Sequence, residues 1–336
     1  MSPSLVAVTV RAQGVATHFL RRATLQQALA ASDLESLARL LQDAGLPPVG
    51  RPITHGGLEL STRRWAAAHL ARLARWLPER PDLGDVLFGD EDRRSVRAMV
   101  RGAAAGVPLE ARLAGLIPTP RLPERLLREL AAQATVPRIA ALLVSWGHPL
   151  GTPLLETAVG DEPDLFASER ALTSASLAAL ARAGRRLGGG FHRWARATID
   201  LENVLVALLA ARRSPGEPLD DFLVPGGAVA PTRLAAAARA TSTEAAVTAL
   251  LALLPAGPVV DAMRQHADDP AGLDDAVLAA RIVELRRRTR LDPLDAAAVL
   301  GFALRLRAQV ILVRQAIWRL ALGATIGPHD PLLEVA

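Results

Sequence analysis

The chain is 336 residues long, half of them apolar, with 39 basic and 34 acidic side chains and a formal net charge of +5. Every basic residue is arginine; lysine, cysteine and tyrosine are absent. These absences exclude a lysine-based phosphate loop, a pyridoxal Schiff base, disulfides, zinc–thiolate centres and a cysteine nucleophile. So small a net charge gives nucleic-acid binding weak support. Aromatic residues make up only 3% of the chain. Packing therefore rests on Leu, Ala and Val, the first two strong helix formers, and the expected fold class is all-α.

In chain order, the opening residues lack a basic leader before their apolar stretch, so no signal peptide is expected, and they read as a helix running toward Phe19. Ser32-Asp33-Leu34-Glu35 has the form of a capping box, opening a helix with Leu37, Leu40 and Leu41 on one face, closed by Gly45. A Pro/Gly-rich loop is expected from Leu46 to Gly57. Further on, Val96, Met99, Val100 and Ala103 follow helical spacing, and Arg94, Arg97 and Arg101 form an overlapping row. After a loop at Leu116–Pro123, Thr135 is an N-cap candidate for a helix carrying Ile139, Leu142 and Leu143 and closed by Gly147.

Gly188-Gly189-Gly190 is expected to separate two helices; it is not a dinucleotide fingerprint. The second of these helices carries Asp200-Leu201-Glu202-Asn203-Val204, with Leu205, Leu208 and Leu209 continuing its apolar stripe. Loops follow at Arg213–Pro218 and Pro225–Pro231. Ser242 then caps a helix with Val247, Leu250 and Leu251, ended near Pro255. The last third carries a basic run, Arg281, Arg286, Arg287, Arg288 and Arg290, balanced by Glu284, Asp292 and Asp295. It reads as a solvated helix face or as a surface for an acidic partner. The oily stretch Ala296–Leu322 is interrupted by Arg305, Arg307, Arg314 and Arg319, so no membrane span is expected.

Three signatures recur in order. The Leu-Leu helix occurs three times; Asp92–Val96 returns as Asp200–Val204 and, faintly, as Leu306–Val310; Leu116-Ile117-Pro118 returns as Leu223-Val224-Pro225. The chain therefore reads as one unit of roughly 105 residues repeated three times, over 1–123, 124–231 and 232–336. Catalytic punctuation is missing. The histidines, His18, His55, His69, His148, His192, His266 and His329, show no metal-ligand spacing. The acidic pairs Asp161-Glu162, Asp220-Asp221, Asp268-Asp269 and Asp274-Asp275 sit where helix starts and loops favour aspartate.

With these motifs in place, the chain resembles the C-type subunit of the bacterial and archaeal V/A-type (vacuolar-type) ATPases, the counterpart of the eukaryotic d-type subunit. The resemblance covers nearly the whole length: the opening through the first Leu-Leu helix, the Asp200-x-x-Asn203 helix with Arg212 and Arg213 behind it, its altered first copy from Asp92 to Arg101, and a closing helix from Gly301 to Gly323. Ser95 replaces the expected asparagine in the first copy, and Arg307 and Gln309 occupy a region the family makes acidic. The resemblance implies a three-lobed, all-helical funnel with pseudo-threefold symmetry. It would be a socket without catalytic residues or cofactor, joining the membrane rotor ring of proteolipid subunits to the axle of subunits D and F. Such a protein is cytoplasmic and peripheral to the inner face of the membrane. Arg94, Arg97, Arg101, Arg212 and Arg213 are the candidate partner-facing residues; Asp92, Asp200 and Asn203 carry the family motif. A generic helical-repeat scaffold and an arginine-rich nucleic-acid binder are the alternatives.

Overall fold

A computed structural model describes residues 3–77, 81–160, 164–213, 219, 221–240, 242–267, 269–323 and 330–336. Asp161-Glu162, Asp220, Asp268, His329 and the Arg213 side chain lie outside the described set. Among the described residues there are seventeen helices and no strand. The all-α expectation is met.

The chain opens with α1 (Pro3–Ala16), the short α2 (Arg22–Leu29) and α3 (Leu34–Asp43), and the long pair α4 (His55–Ala74) and α5 (Pro81–Ala104). After α6 (Leu109–Leu113) come short α7 (Glu124–Ala131), α8 (Val136–Ser145) and α9 (Gly151–Thr157), then long α10 (Leu165–Leu187) and α11 (Gly189–Arg213). Short α12 (Pro231–Ala238), α13 (Thr243–Leu251) and α14 (Pro258–Gln265) lead to long α15 (Pro270–Leu291) and α16 (Ala296–Leu322). The chain closes with α17 (Pro331–Val335).

Local chemistry sets the boundaries. At α3 the cap is Asp33 rather than Ser32: its carboxylate accepts from Ser36 N–H at 2.8 Å, while the Ser32 hydroxyl donates to the same carboxylate at 2.9 Å. A full negative charge at a helix N-terminus outcompetes a neutral hydroxyl. Ser242 caps α13 as expected, accepting from Ala245 N–H at 3.1 Å; Thr135 takes the cap backbone position of α8 without a side-chain bond. Gly188 ends α10 at φ 70°, a left-handed conformation that favours glycine, and α11 starts at the next residue.

The described apolar side chains form three cores. The largest gathers α1 to α4, the first part of α5, the facing ends of α10 and α11, and α15 to α17. The second surrounds the later part of α5, from Val96 onward, with α6 to α9. The third surrounds the later part of α11, from Leu201 onward, with α12 to α14. Each of α5 and α11 thus leaves the main core at its Asp92 or Asp200 turn and enters a core of its own. Helix α16 is long and apolar enough to cross a bilayer, yet most of its apolar window is buried. It packs against α1 to α4, α11, α15 and α17, and Leu312, Val313, Ala316 and Ile317 have no exposed surface. Complete burial of each such Leu, Val or Ile contributes about 1.5–3 kcal/mol, which explains why the apolar stripe turns inward.

Candidate functional site: the motif locks and the charged hub

The motif residues Asp92, Asp200 and Asn203 are all buried. On α11, Asn203 spans both polar groups of Val224: its Nδ2 donates to the carbonyl and its Oδ1 accepts from the N–H, each at 2.8 Å. One turn earlier, Asp200 accepts from Ala228 N–H at 2.8 Å and Val229 N–H at 3.0 Å. The Asp-x-x-Asn spacing puts both side chains on one helix face, where they fold the loop from Leu223 to Val229. That loop must pass so close that a Cβ at Gly227 would overlap the Asp200 carboxylate. Gly227→Ala is expected to cost about 1–3 kcal/mol, read as a lower urea midpoint with an unchanged slope.

The other two long helices carry related devices. On α5, Asp92 accepts from the Thr119 hydroxyl at 2.6 Å, and Thr119 Oγ1 accepts from Leu122 N–H at 3.0 Å, so the carboxylate orders the loop after α6 through a relay. His148 closes this site from the connection between α8 and α9, its Nε2 3.6 Å from Asp92 Oδ2. On α16, Gln309 stands in register with Asn203 and makes the same paired bonds to Leu20, accepting at 2.9 Å and donating at 2.8 Å. The faint third signature therefore holds a loop at the other end of the chain.

The charged hub lies where α5, α11, α15 and α16 meet. Asp90 and Arg93, then Asp90 and Arg94, stand at i,i+3 and i,i+4 on α5, and pair at 2.7 and 2.9 Å. Only 3% of the Arg93 side chain is exposed, and its guanidinium also forks onto Glu202 of α11 at 2.8 and 3.2 Å. Arg307 of α16 reaches Glu91 at 2.6 Å. Arg281 of α15 donates to Thr198 at 2.6 Å and lies 3.8 Å above the Trp194 ring, both on α11.

Electrostatics follow the geometry. Desolvation works to raise the Asp90 carboxyl, but the guanidiniums of Arg94, Arg93 and Arg307 outweigh it and hold the group well below the usual carboxylate range. Desolvation works against the Arg93 charge as well, and Asp90 and Glu202 overcome it, raising the group. Arg281 differs: burial pushes it down to about 10 against the pull of Asp90 and Glu202. The cleft beside the hub, lined by Asp90, Arg94, Trp194, Glu202 and Arg281, has room for about 80 Å³. That admits a few waters or one side chain, far less than a helix about 10–12 Å across.

The sequence-predicted arginines divide. Arg94 stays at the hub, with 40% of its side chain exposed. Arg97 and Arg101 come together on Glu169 of α10: Arg97 bonds it at 3.0 Å, and Arg101 through Nε and, at 2.6 Å, a terminal nitrogen. The Arg101 hydrogen bond is the main cause of a lowered Glu169 pKa. Arg212 is half-buried near the end of α11. Of the basic residues on α16, Arg307 pairs with Glu91, Arg314 with the buried Glu59 of α4 at 2.9 Å, and Arg319 with the Ala31 carbonyl. Those three charges are spent inside the fold, on carboxylates and a carbonyl far away in sequence, and not on Asp292 or Asp295. Sequence reasoning passed over Arg93 and Glu202. The run Asp90-Glu91-Asp92-Arg93-Arg94, three acids followed by two bases, was the available signal, but its burial was not legible.

A family model described as ATP synthase (C/AC39) subunit matches residues 8–310. The chain belongs to this family. A search of curated proteins found no match. The AC39 span begins in α1 and ends at Val310, one residue beyond Gln309, so it takes in every lock and hub residue described above. This AC39-family chain is therefore a subunit of a V/A-type ATPase, and its motif residues act on the fold: Asp200 and Asn203 bind loop backbone, and neither is presented to solvent.

Proposed function

We propose that this chain is the non-catalytic rotor connector of a V/A-type ATPase, coupling central-stalk subunits D and F to the membrane proteolipid ring during ion transport. The observation that supports it is the hub. One short segment of α5 is ion-paired to α11 through Glu202 and to α16 through Arg307. Independent rotation of the long helix pairs would separate partly buried opposite charges, which is costly. A connector must pass torque without flexing, and such cross-ties supply that stiffness.

In this reading the units 1–123, 124–231 and 232–336 stand around the hub in pseudo-threefold fashion, and the Gln309–Leu20 lock joins the third to the first. The hub cleft is too small to receive an axle, so the axle seats on the outer ends of the helix pairs. Arg94, Arg97, Arg101, Arg212 and Arg213 are the proposed contact residues. Arg101, with 59% of its side chain exposed, is the best placed of the described ones to reach a partner. The protein would be cytoplasmic, held at the inner membrane face through the ring.

The test is co-expression with D, F and the ring subunits. Arg97→Glu/Arg101→Glu is expected to keep the helical circular dichroism and to weaken assembly at least about tenfold, equivalent to roughly 1.4 kcal/mol. Full assembly at unchanged helicity would remove these two residues from the interface. Failure of the unmodified chain to co-purify with any of those subunits would sink the connector reading itself.

A further inference from the structure

A second cleft, sharing no residue with the one at the hub, lies between α1, α15 and α16 and has a volume of about 370 Å³. Small residues make the room: Ala12 and Ala16 from α1, and Ala297, Ala298 and Gly301 from α16. Three guanidiniums line it, Arg286 and Arg290 one helical turn apart on α15 and Arg305 across from them on α16. Like charges at i,i+4 repel. Among the described residues no side-chain carboxylate pairs with any of the three. Arg286 donates to the Ala336 main-chain oxygen at 3.2 Å, and Arg305 lies 5.4 Å from the Phe19 ring centre. The Arg305 Nε is buried and has no hydrogen-bond partner.

Burial lowers Arg286 and Arg305 from the ordinary arginine value, with Arg290 adding to the effect on Arg286 and Arg286 to that on Arg305. Elsewhere in this chain buried arginines are paired, as at Arg93, or packed and hydrogen-bonded, as at Arg281. Here the charge is gathered around empty space. A guanidinium presents a planar fork of N–H donors that matches oxyanions, phosphate above all. The other polar side chains on the walls are partly committed: Thr289 donates to Leu285 O at 2.9 Å, and Gln13 gives one amide N–H to Pro293 O at 2.7 Å. Recognition would therefore fall mainly to the arginines. Three positive charges match a doubly charged group better than a single carboxylate, and Leu285, Phe302 and the alanine floor leave apolar space for what the group is attached to.

We propose that the cleft between α1, α15 and α16 binds a phosphate group through Arg286, Arg290 and Arg305. The group could be presented by a small soluble ligand or by a lipid headgroup, since both offer the same oxyanion. The test uses the full chain, with pyrophosphate by calorimetry and thermal unfolding against sodium chloride at equal ionic strength. A parallel arm uses phosphatidylcholine vesicles with and without phosphatidic acid.

Saturable binding, with a rise in Tm beyond that from chloride, is expected in one or both arms, and the responding arm identifies the source. Arg290→Gln, at an exposed site, and Arg305→Gln should each weaken binding at least about tenfold. Arg305→Gln should also unfold no earlier than the unmodified chain without ligand, because it relieves repulsion. Three results would overturn the proposal: a response no greater than chloride in both arms, variants that bind as the unmodified chain does, or binding of a poly-glutamate peptide alone. The last would make the cleft a protein-docking face.

Discussion

Replacing Arg93 by methionine is expected to destabilise the chain by about 1.5–3 kcal/mol, the largest effect of any single hub substitution. The reason is asymmetry. Methionine fills much of the space of the arginine stem but takes the guanidinium away from Glu202 and leaves Asp90 with Arg94 alone. Asp90, half exposed, keeps Arg94 and water, so the cost falls mainly on Glu202 and on the lost charge-assisted hydrogen bonds. Arg93→Lys should fall between, since an ammonium cannot fork onto Glu202 while also holding Asp90. Urea unfolding checks both, with the midpoint falling and the slope unchanged. A loss below about 1 kcal/mol for methionine, the worth of an exposed pair, would show that Arg94 and solvent make up for the lost guanidinium.

The same hub sets an acid limit. Asp90 has a folded-state pKa below its unfolded value of 3.8. The unfolded chain therefore takes up the proton first. The stabilisation from Asp90 is complete above the unfolded value and is lost as pH falls through the folded one. Arg93→Met weakens the pull that holds Asp90 ionised and narrows the gap between its folded and unfolded pKa, so, beyond its loss at neutral pH, the variant should lose less further stability on acidification than the unmodified chain. Coincident acid transitions, after correction for the neutral-pH difference, would argue against this coupling.

Asn203→Ala is expected to cost about 2–6 kcal/mol, from two buried backbone groups of Val224 left unsatisfied at about 1–3 kcal/mol each. Asn203→Asp separates the two bonds: it still accepts from the Val224 N–H but turns an acceptor toward the carbonyl, and should destabilise as well. Gln309→Ala predicts a comparable loss through Leu20. The Gln309 result is the more telling, because it would detach the chain's opening loop from α16. Hydrogen exchange should then rise at Leu20 and through α2, which packs on α16. Unchanged protection there would mean that the lock is redundant.

Much of the helical frame was legible in the residues. The stripe Val96, Met99, Val100, Ala103 is buried as its spacing implies, and so are Leu201, Val204 and Leu208, but Leu205 of the same stripe is half-buried and Leu209 is exposed. The glycine triplet separates α10 from α11, and Ser242 caps its helix. Single-residue competition was harder: Asp33 displaces Ser32 as a cap because ionised acceptors bind helix N-termini more strongly. Arginine roles were the least legible. Arg94, Arg97 and Arg101 form one row in sequence, yet Arg94 belongs to the hub and the other two to Glu169. Their neighbour Arg93, one position away and easily passed over, is the buried member.

Composition and spacing were enough for the helices, their apolar faces and the order of the recurring signatures, because these depend on neighbours within a few residues along one helix. Partners came only from folding. Arg307 meets Glu91, Arg314 meets Glu59 and Gln309 meets Leu20 across more than two hundred residues of chain. A charge or an amide carries no mark of which distant group will satisfy it. Once burial has removed water, however, each must find one, and the packing of α16 through the main core determines which groups are within reach.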